Sequence, residues 1–500
     1  MNSVEKLKPL RSHSGNQRTL GISDDEILRF TEQDATLGGA IDAAVDAHAQ
    51  LASEWPAFLD LDEDQQRAEA QKGFVNFYAA DCVVPYVSLA AKGPWIVTAK
   101  GAVLYDCGGY GMLGFGHSPD FALDAMNSTQ VMANIMTPNL SQRRLTDALM
   151  SEIGHRREDT PFAHFVSLNS GSESVSLAAR ISDINAKLQT DPGGDHAHQT
   201  IHLLGLQGAF HGRTDRPAHF SDSTRKTYCK HLASFRDHDN LITVEPNNLE
   251  QLAQVFDYAE SNRCFIEAFF MEPVMGEGDP GRAITPEFYA LARELTLKHG
   301  SLLLVDSIQA GLRAQGVLSV CDYPGFEALP APDMESYSKA LNAGQYPLSV
   351  LALNQRATDL YRAGVYGNTM TSNPRAMDVG AAVLRELTPE MRRNIVERGQ
   401  ELVDKLTALQ KELDGHITKV QGTGLLVSAE LHPSRYKAYG EGSTEEFMRE
   451  HGINVIHGGA TSLRYTPHFA MTSAEVDLLV EHTRQALLKG PARLPASEAA

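Results

Sequence analysis

Two residues of this chain, Lys339 and Asp306, are of types that could act together in catalysis. Lysine is the side chain that can hold an aldehyde cofactor as a Schiff base. An aspartate at the end of an apolar strand can stabilise a positive charge on the ring nitrogen of such a cofactor. The pair indicates chemistry on amines, although a lysine taken alone is most often a solvated surface cation.

The neighbourhood of both residues supports this interpretation. No other charged residue lies between Glu335 and Arg356, so the amine of Lys339 is predicted to be desolvated, which favours the neutral form needed for imine chemistry. Asp306 directly follows the apolar run 302–305. It is therefore predicted to lie at the carboxyl end of a buried strand, where open α/β sheets bind ligands.

Alternating strands and helices predict how these residues are positioned. A strand at 165–168 precedes a helix whose apolar stripe is Leu177, Ile181, Ile184 and Leu188. Another helix begins at Thr285-Pro286 and ends at Gly300, directly before the strand 302–305. Such repeated βαβ units predict an α/β fold with a mostly parallel central sheet and helices on both faces.

The pattern changes towards the carboxyl end and predicts a smaller α+β domain. A helix opens at Thr388-Pro389, and a strand at 424–431, a helix at 444–451 and strands near 454–456 and 462–465 follow. We expect residues 1–75 to form an acidic, partly helical extension. Residues 76–375 are predicted to form a large domain whose first segment contributes to the small lobe, residues 376–490 the small domain, and residues 491–500 a frayed tail.

Composition excludes several classes of function. The 500 residues are 42% apolar and 21% charged, and the formal net charge of −19 includes no basic block, so neither nucleic acid nor an anionic membrane is an expected partner. Apolar runs are shorter than a membrane span, and the amino terminus has no signal-peptide core. Five scattered cysteines without a CxxC pair predict reduced thiols and a cytoplasmic protein, and no HExxH pattern predicts a metal site.

Further residues could complete a site for pyridoxal phosphate (PLP). The turn Ser170-Gly171-Ser172 joins a strand to a helix amino terminus, where backbone amides and the helix dipole favour a phosphate. Phe210 could stack on the pyridine ring. Gln309 could reach the phenolic oxygen. Each of these has an ordinary structural alternative, namely a tight turn, a core phenylalanine and a loop amide.

With these residues in place, the chain resembles the class III aminotransferases, within the fold-type I PLP enzymes, over about residues 85–485. The similar motifs, in family order, are Gly101–Asp106 with Gly116-His117, Asn169–Glu173, Phe210–Thr214, Glu272–Gly278, Val305–Gly311, Ser338–Leu341, and Asn368-Thr369 with Asn373-Pro374. The resemblance places His211 in the ring-stacking segment and Lys339 in the lysine motif. It implies a fold-type I transferase with bound PLP.

The resemblance also implies partners and substrate residues. It implies a homodimer in which Thr369 reaches the phosphate of the neighbouring site. Arg464 has the position of the family's carboxylate-binding arginine, and Glu277 that of a glutamate that pairs with it while the donor is bound. Arg213 corresponds to an arginine that binds the donor's carboxylate in lysine and ornithine members. Tyr110 has a pocket position of ornithine members.

Some positions depart from the family pattern. Ser307 stands where the family usually has an acidic residue after the strand aspartate, Met275 replaces a usual glutamine, and Thr371-Ser372 replace small glycines. None of these changes removes an expected cofactor contact, but Ser307 could change the charge of the pocket. The extension before residue 75 is longer than usual for the family.

These observations predict a ping-pong aminotransferase. An ω-amino acid or diamino acid (lysine, ornithine or 4-aminobutyrate-like) would donate its amine to a keto acid such as 2-oxoglutarate. Lys339 would move the proton and Asp306 would hold the ring nitrogen charged. Three alternatives stay open at this point: an aminomutase, a racemase, and a PLP-binding protein that has lost its activity.

Overall fold

The computed structural model describes residues 1–132, 135–236 and 240–492. The chain divides into two compact units, Met1–Asp120 with Glu397–Ala500, and Phe121–Val396. Most of the tail that was predicted to fray, residues 491–500, lies outside the described residues. No helix among the described residues combines the length and the apolar character needed to cross a bilayer.

The first unit begins with five helices and a three-stranded antiparallel meander. Its elements up to residue 106 are α1 (Ser3–Arg11), α2 (Asp24–Gln33), α3 (Ala35–Glu54), α4 (Pro56–Leu59), α5 (Glu63–Ala70), β1 (Ser88–Lys92), β2 (Trp95–Thr98) and β3 (Val103–Asp106). The helices of the extension share the core of these strands. Trp95 donates its indole N–H to Asp34 Oδ2 at 2.7 Å, and its ring packs against Phe30.

A buried carboxylate fixes the extension further. Glu63 Oε2 accepts the backbone N–H groups of Arg18 and Thr19, each at 2.8 Å. Burial raises the pKa of Glu63, and these two donors oppose that rise. The Arg18 side chain in turn donates to Glu446 and Glu450 at 2.9 and 2.8 Å. The extension is thus tied by side-chain contacts to the carboxyl-terminal part of the same unit.

The second unit contains the large sheet. Its elements are α6 (Asp120–Met126), α7 (Leu140–Glu152), β4 (His164–Leu168), α8 (Gly171–Thr190), β5 (Thr200–Leu206), α9 (Asp215–Phe220), α10 (Arg225–His231), β6 (Leu241–Val244), α11 (Leu249–Ser261), β7 (Cys264–Met271), α12 (Pro286–His299), β8 (Leu302–Asp306), β9 (Met334–Tyr337), β10 (Ser349–Leu353), α13 (Gln355–Leu360) and α14 (Pro374–Glu386). The strand order is β4-β10-β9-β8-β7-β5-β6. All neighbouring pairs are parallel except those of β10, which is antiparallel to β4 and β9.

The central strands are apolar on both faces, as a parallel sheet covered by helices requires. β7 and β8 are buried at every residue. Helix α8 packs Val175, Ala178 and Ile181 into the same core cluster. In α12, Thr285 caps the amino end by accepting Phe288 N–H, and Gly300 ends the helix with φ +77°, a conformation that glycine adopts without strain. The βαβ unit predicted around Asp306 is therefore present.

Helix α15 (Pro389–Glu412) leads back to the first unit. The remaining elements are β11 (Ile417–Thr423), β12 (Leu426–Leu431), α16 (Thr444–Glu450), β13 (Ile453–Asn454), β14 (Ile456–Gly458), β15 (Ser462–Tyr465) and α17 (Ser473–Lys489). The antiparallel sheet has the order β11-β12-β15-β14, and β13 joins the amino-terminal meander parallel to β3. Together with the mostly parallel large sheet, this confirms the predicted fold class.

Candidate active site

In the second unit, the carboxyl ends of several strands surround a cavity of about 170 Å³. Its lining residues are Ser170, Gly171, Ser172, Phe210, His211, Gly212, Glu272, Asp306, Ile308, Gln309, Ser338 and Lys339. Eight of the residues predicted from sequence therefore line one cavity: Ser170, Gly171, Ser172, Phe210, His211, Asp306, Gln309 and Lys339. Ligands bind at this edge of open α/β sheets.

The turn after β4 gives the cavity an end suited to an anion. Ser170 caps the 20-residue helix α8: its Oγ accepts Glu173 N–H, and its own N–H donates to Glu173 Oε2. The first amides of the helix are left to point outwards, where the helix dipole favours a phosphate. A Cβ on Gly171 would meet Ile308 Cδ1 at 2.7 Å, so this approach of turn and loop requires glycine.

The segment after β5 packs closely on the same turn. Gly212 has φ +116°, and a Cβ there would lie 2.4 Å from Ser172 Oγ. Phe210 donates its backbone N–H to Glu272 Oε2 at 3.0 Å, and His211 donates its backbone N–H to Ser221 Oγ at 2.9 Å. These bonds hold the aromatic ring of Phe210 at the wall of the cavity.

Asp306 ends β8 and is almost completely buried. Its Oδ2 lies 2.8 Å from His211 Nδ1, and its Oδ1 accepts Ile308 N–H at 3.2 Å. With a proton on Nδ1, His211 donates a hydrogen bond to the carboxylate. The remaining ring nitrogen of His211, Nε2, is buried and has no hydrogen-bond partner among the described residues.

Lys339 follows β9 and starts a short 3₁₀ turn, Lys339–Asn342. Its φ of +45° lies in the left-handed region, which is strained for a side chain of this kind and is typical of functional sites. The hydroxyl of Ser338 donates to Leu348 O at 2.7 Å and anchors the turn. The strand pairing Asp306↔Ser336 brings the two predicted catalytic residues to the ends of neighbouring strands.

Glu272 is a residue of this cavity that the sequence argument did not single out as a site residue. Its buried carboxylate accepts Phe210 N–H and, at 2.9 Å, Gly276 N–H. Burial raises its pKa to about 7; the nearby Asp306 carboxylate adds to the rise, while His211 and the two backbone donors oppose it. Glu272 directly follows the apolar strand β7, just as Asp306 ends β8, so its place at the end of an apolar strand is the sequence signal that marks it as a site residue.

The other predicted residues lie elsewhere in the two units. Arg213, in the second unit, has its guanidinium 5.3 Å from the centre of the Phe210 ring, and Glu277 lies in the loop after Glu272. Thr369 is exposed, in a turn where the Asn368 side chain donates to Glu173 Oε1 at 2.6 Å. Thr369, Arg213 and Glu277 are not among the residues that line the cavity.

Tyr110 and Arg464 meet in the first unit. The guanidinium of Arg464, on β15, lies 5.0 Å from the centre of the Tyr110 ring, and Arg464 is fully buried. Tyr110 has φ +52°. Its loop is anchored by Asp106, whose carboxylate accepts Gly108 N–H at 2.9 Å and lies 2.8 Å from His117 Nε2. A cation held against an aromatic face is a suitable receptor for a carboxylate.

The residues of the cavity fit PLP. They offer an amide-lined turn for a phosphate, an aromatic side chain at the wall, a carboxylate for a charged ring nitrogen, and a lysine amine for an aldehyde. The buried Nε2 atom of His211 is one polar atom for which a bound group could supply the missing partner.

Comparison with known proteins agrees with this chemistry. The family described as "Aminotransferase class-III" matches residues 78–487. The ornithine aminotransferase of Staphylococcus carnosus is 26% identical over 409 residues, which are 80% of this chain and 94% of that protein. The ornithine aminotransferase of Saccharomyces cerevisiae is 25% identical over 77% of this chain and 90% of its own length.

Solved structures share the fold. The ornithine aminotransferase of Toxoplasma gondii has a TM-score of 0.71 at 20% identity, covering 87% of this chain and 98% of that one. The acetylornithine aminotransferase of Elizabethkingia anophelis has a TM-score of 0.67 at 22% identity, covering 85% and 99%. Because the family match spans most of the sequence, this chain belongs to the class III aminotransferases and is a PLP-dependent transaminase.

Proposed function

We propose that this transaminase takes its amino group from ornithine or a related diamino or ω-amino acid, with lysine and 4-aminobutyrate as the other candidates. It passes the group to a keto acid such as 2-oxoglutarate in two half-reactions. The names of the relatives, ornithine and acetylornithine aminotransferases, support the donor class. The observation that carries the proposal is a single cavity lined by Lys339 and by the hydrogen-bonded pair of Asp306 and His211.

Several residues of the cavity have proposed roles in binding PLP. When bound, PLP supplies a carbonyl carbon for the donor amine and a ring that accepts electrons. Gly171 and Ser172 would hold the phosphate with their amides, and Phe210 would pack on the ring. Asp306, held in place by its hydrogen bond with His211, would pair with a proton on the ring nitrogen. Gln309 would bind the phenolic oxygen.

Lys339 is the proposed proton carrier. Its Nζ would remove the proton from the amine-bearing carbon of the donor and deliver a proton to the C4′ carbon of PLP. In the second half-reaction it would take a proton from C4′ and give it to the corresponding carbon of the acceptor. The left-handed backbone of Lys339 fixes where the side chain leaves the chain, because its turn is anchored through Ser338. Proton transfer then needs little reorganisation of the protein.

Four residues outside the cavity are proposed to select the substrate. Arg464 is proposed to bind a carboxylate of a dicarboxylate acceptor, with Glu277 as its partner while the donor is bound. Arg213 and Tyr110 are proposed to contact the donor. The contact of Arg464 with the Tyr110 ring supports a preformed receptor on the first unit. Arg464→Lys is expected to raise the KM for 2-oxoglutarate more than that for the donor, since lysine cannot form the bidentate pair.

A spectroscopic screen tests the function. The PLP-loaded protein is mixed with ornithine, N-acetylornithine, lysine or 4-aminobutyrate, one at a time, and the absorbance of the lysine-bound cofactor is followed. We expect ornithine to discharge this band fastest, and 2-oxoglutarate to restore it with formation of glutamate. Product formation without any keto acid would instead indicate an aminomutase.

Variants at two lysines give the matched control. Lys339→Ala is expected to lose the lysine-bound absorbance and at least about 10³-fold in turnover, the scale of a general acid–base group. Lys298→Ala, a surface lysine whose side chain is 70% exposed, should keep both. A Lys339→Ala protein with the spectrum and turnover of wild type would overturn the proposed mechanism.

We also propose that the chain acts as a homodimer in which Thr369 completes the partner's phosphate site. Exposed apolar side chains in the second unit, including those of Val131, Met136, Leu140 and Met370, support an interface of this kind. Mixing Lys339→Ala and Thr369→Ala chains tests the arrangement. If Thr369 acts across the interface, each mixed dimer regains one intact site, whereas no activity returns if Thr369 serves its own subunit.

A further inference from the structure

A second buried glutamate lies under the cavity, on the strand that leads to Lys339. Glu335 is fully buried on β9 and pairs in register with Val305, one residue before Asp306. Because side chains alternate along a strand, Glu335 points to the sheet face opposite to that of Ser336 and Asp306. Its carboxylate therefore acts from the other side of the same two strands.

Three donors to the carboxylate of Glu335 come from a single segment, residues 307–320. The hydroxyls of Ser307 and Ser319 each donate to it at 2.6 Å, and Val320 N–H donates at 2.9 Å. Such a set of donors suits an anionic acceptor. Burial raises the pKa of Glu335 to about 7, and these hydrogen bonds oppose that rise. Removing the carboxylate or one of its donors would therefore disturb the balance between burial and hydrogen bonding at this site.

The same segment forms part of the cavity wall. Ile308 and Gln309 line the cavity, and they directly follow Ser307. Leu312, further along, has φ +64°, so the segment includes a strained residue that its surroundings must hold in place. The bonds to Glu335 fix both ends of this segment, Ser307 at the start and Ser319 with Val320 at the end.

We propose that Glu335 is a positioning residue for the PLP site. Position 307 of this chain is a serine, and its hydroxyl donates to the acid on the neighbouring strand. From β9, the carboxylate of Glu335 thus holds the segment that bears Ile308 and Gln309.

Exchange of the two residues tests this inference. In Glu335→Ser the donors of Ser319 and Val320 lose their acceptor, and in Ser307→Glu a second carboxylate enters a buried site. Each single variant is expected to weaken equilibrium binding of PLP to the cofactor-free protein at least about tenfold, the effect of one lost buried hydrogen bond. The double variant Ser307→Glu with Glu335→Ser should return the Kd for PLP to within about threefold of wild type, a coupling that a double-mutant cycle measures.

Controls separate positioning from general stability. Asp333→Ser removes another fully buried acid two residues earlier, whose partners Arg293 and Arg356 do not line the cavity. It should lower the melting temperature while changing PLP affinity less than Glu335→Ser does. Ser319→Ala, a milder change at the same carboxylate, serves if Glu335→Ser does not fold, and it should raise the Kd for PLP with little change in melting temperature.

The inference fails if Glu335→Ser binds PLP like wild type, or if the double variant binds no better than Glu335→Ser. It also fails if Asp333→Ser weakens PLP binding as strongly as Glu335→Ser does while lowering stability by the same amount. It rests on the proposed cofactor contacts but not on the proposed donor. An error about ornithine would leave these PLP affinities unchanged, so the two failures can be told apart.

Discussion

Replacing Glu272 by glutamine should make the stability of this protein less sensitive to pH. The folded-state pKa of Glu272 is about 7, against an ordinary value of 4.5. A raised pKa means that the folded state keeps the proton longer than the unfolded chain does. Stability is therefore full below about pH 4.5, falls as the pH rises towards 7, and is constant above that. Glutamine at this position does not titrate, so it contributes no such dependence of stability on pH.

The size of the effect follows from the two pKa values. Between about pH 5.5 and pH 8, titration of this one group lowers the unfolding free energy of wild type by about 2 kcal/mol. The variant loses about 1–3 kcal/mol of unfolding free energy at every pH, because its amide N–H₂ must face either Phe210 N–H or Gly276 N–H. The difference between variant and wild type should thus move by about 2 kcal/mol in favour of Glu272→Gln over this pH interval.

Urea unfolding of the cofactor-free proteins at both pH values measures this change. Other buried glutamates with raised pKa, among them Glu63, Glu267 and Glu335, are present in both chains, so their titration cancels in the difference. Leu406→Ala, which removes no titratable group, is the control whose difference from wild type should be the same at both pH values. A pH-independent difference for Glu272→Gln would refute the assignment of a raised pKa to this carboxylate.

Substitutions at four other positions, one of them a control, also have defined expected outcomes. Asp333→Asn breaks a buried pair with Arg293, held by two bonds of 2.8 and 3.1 Å, and should destabilise the fold by about 3 kcal/mol in thermal or urea unfolding. Leu406→Ala empties a fully buried position of α15 and should cost about 3 kcal/mol in the same assays. Gly212→Ala places a Cβ against Ser172 and should weaken PLP binding at least about tenfold. Gly193→Ala is the control, because Gly193 also has a positive φ but has open space around it. This control should lower stability by only about 1 kcal/mol and leave the affinity for PLP unchanged.

The fold was predictable where apolar pattern and end signals agree. β8 and α12 lie within a residue or two of their expected places, because Thr285, Pro286 and Gly300 mark the ends and the strand is apolar throughout. The face of α8 was predicted less well. Leu188 of the expected stripe is 54% exposed, while the polar Asn185 is buried and donates to Gly300 O at 2.9 Å. A pattern of apolar residues cannot identify a buried amide whose partner is distant in sequence.

The carboxyl-terminal strands show a related limit. The expected strand 424–431 is β12, and the strand before it, β11, was missed because its residues are only partly buried and alternate weakly. Gly424 with φ +54° forms the turn between them. Local sequence could not show that this glycine joins two strands instead of starting one.

The cavity was predictable to the extent that each contributor follows a strand. Asp306 and the turn at Ser170 follow apolar runs, Lys339 follows the strand β9, and the sheet brings these strand ends together. Contacts that depend on pairs remote in sequence were not predictable. The bond between His211 and Asp306 and the acceptance of Ser307 by Glu335 both need the strand order, which no single segment contains.

The first unit is formed by two separate stretches of the chain, so its two parts are synthesised at different times. Strand β3 pairs with β13, but the whole second unit, about 280 residues, is made between them. At about 5–20 residues per second, the roughly 350 residues from the end of β3 to the end of β13 leave the edge of β3 without that neighbour for on the order of 17 to 70 s. Helix α3 packs on β1 and β2, and α2 brings Phe30 to Trp95; both helices precede these strands in the chain. On the ribosome, the amino-terminal helices can therefore cover the apolar face of the new strands until the carboxyl-terminal residues are made.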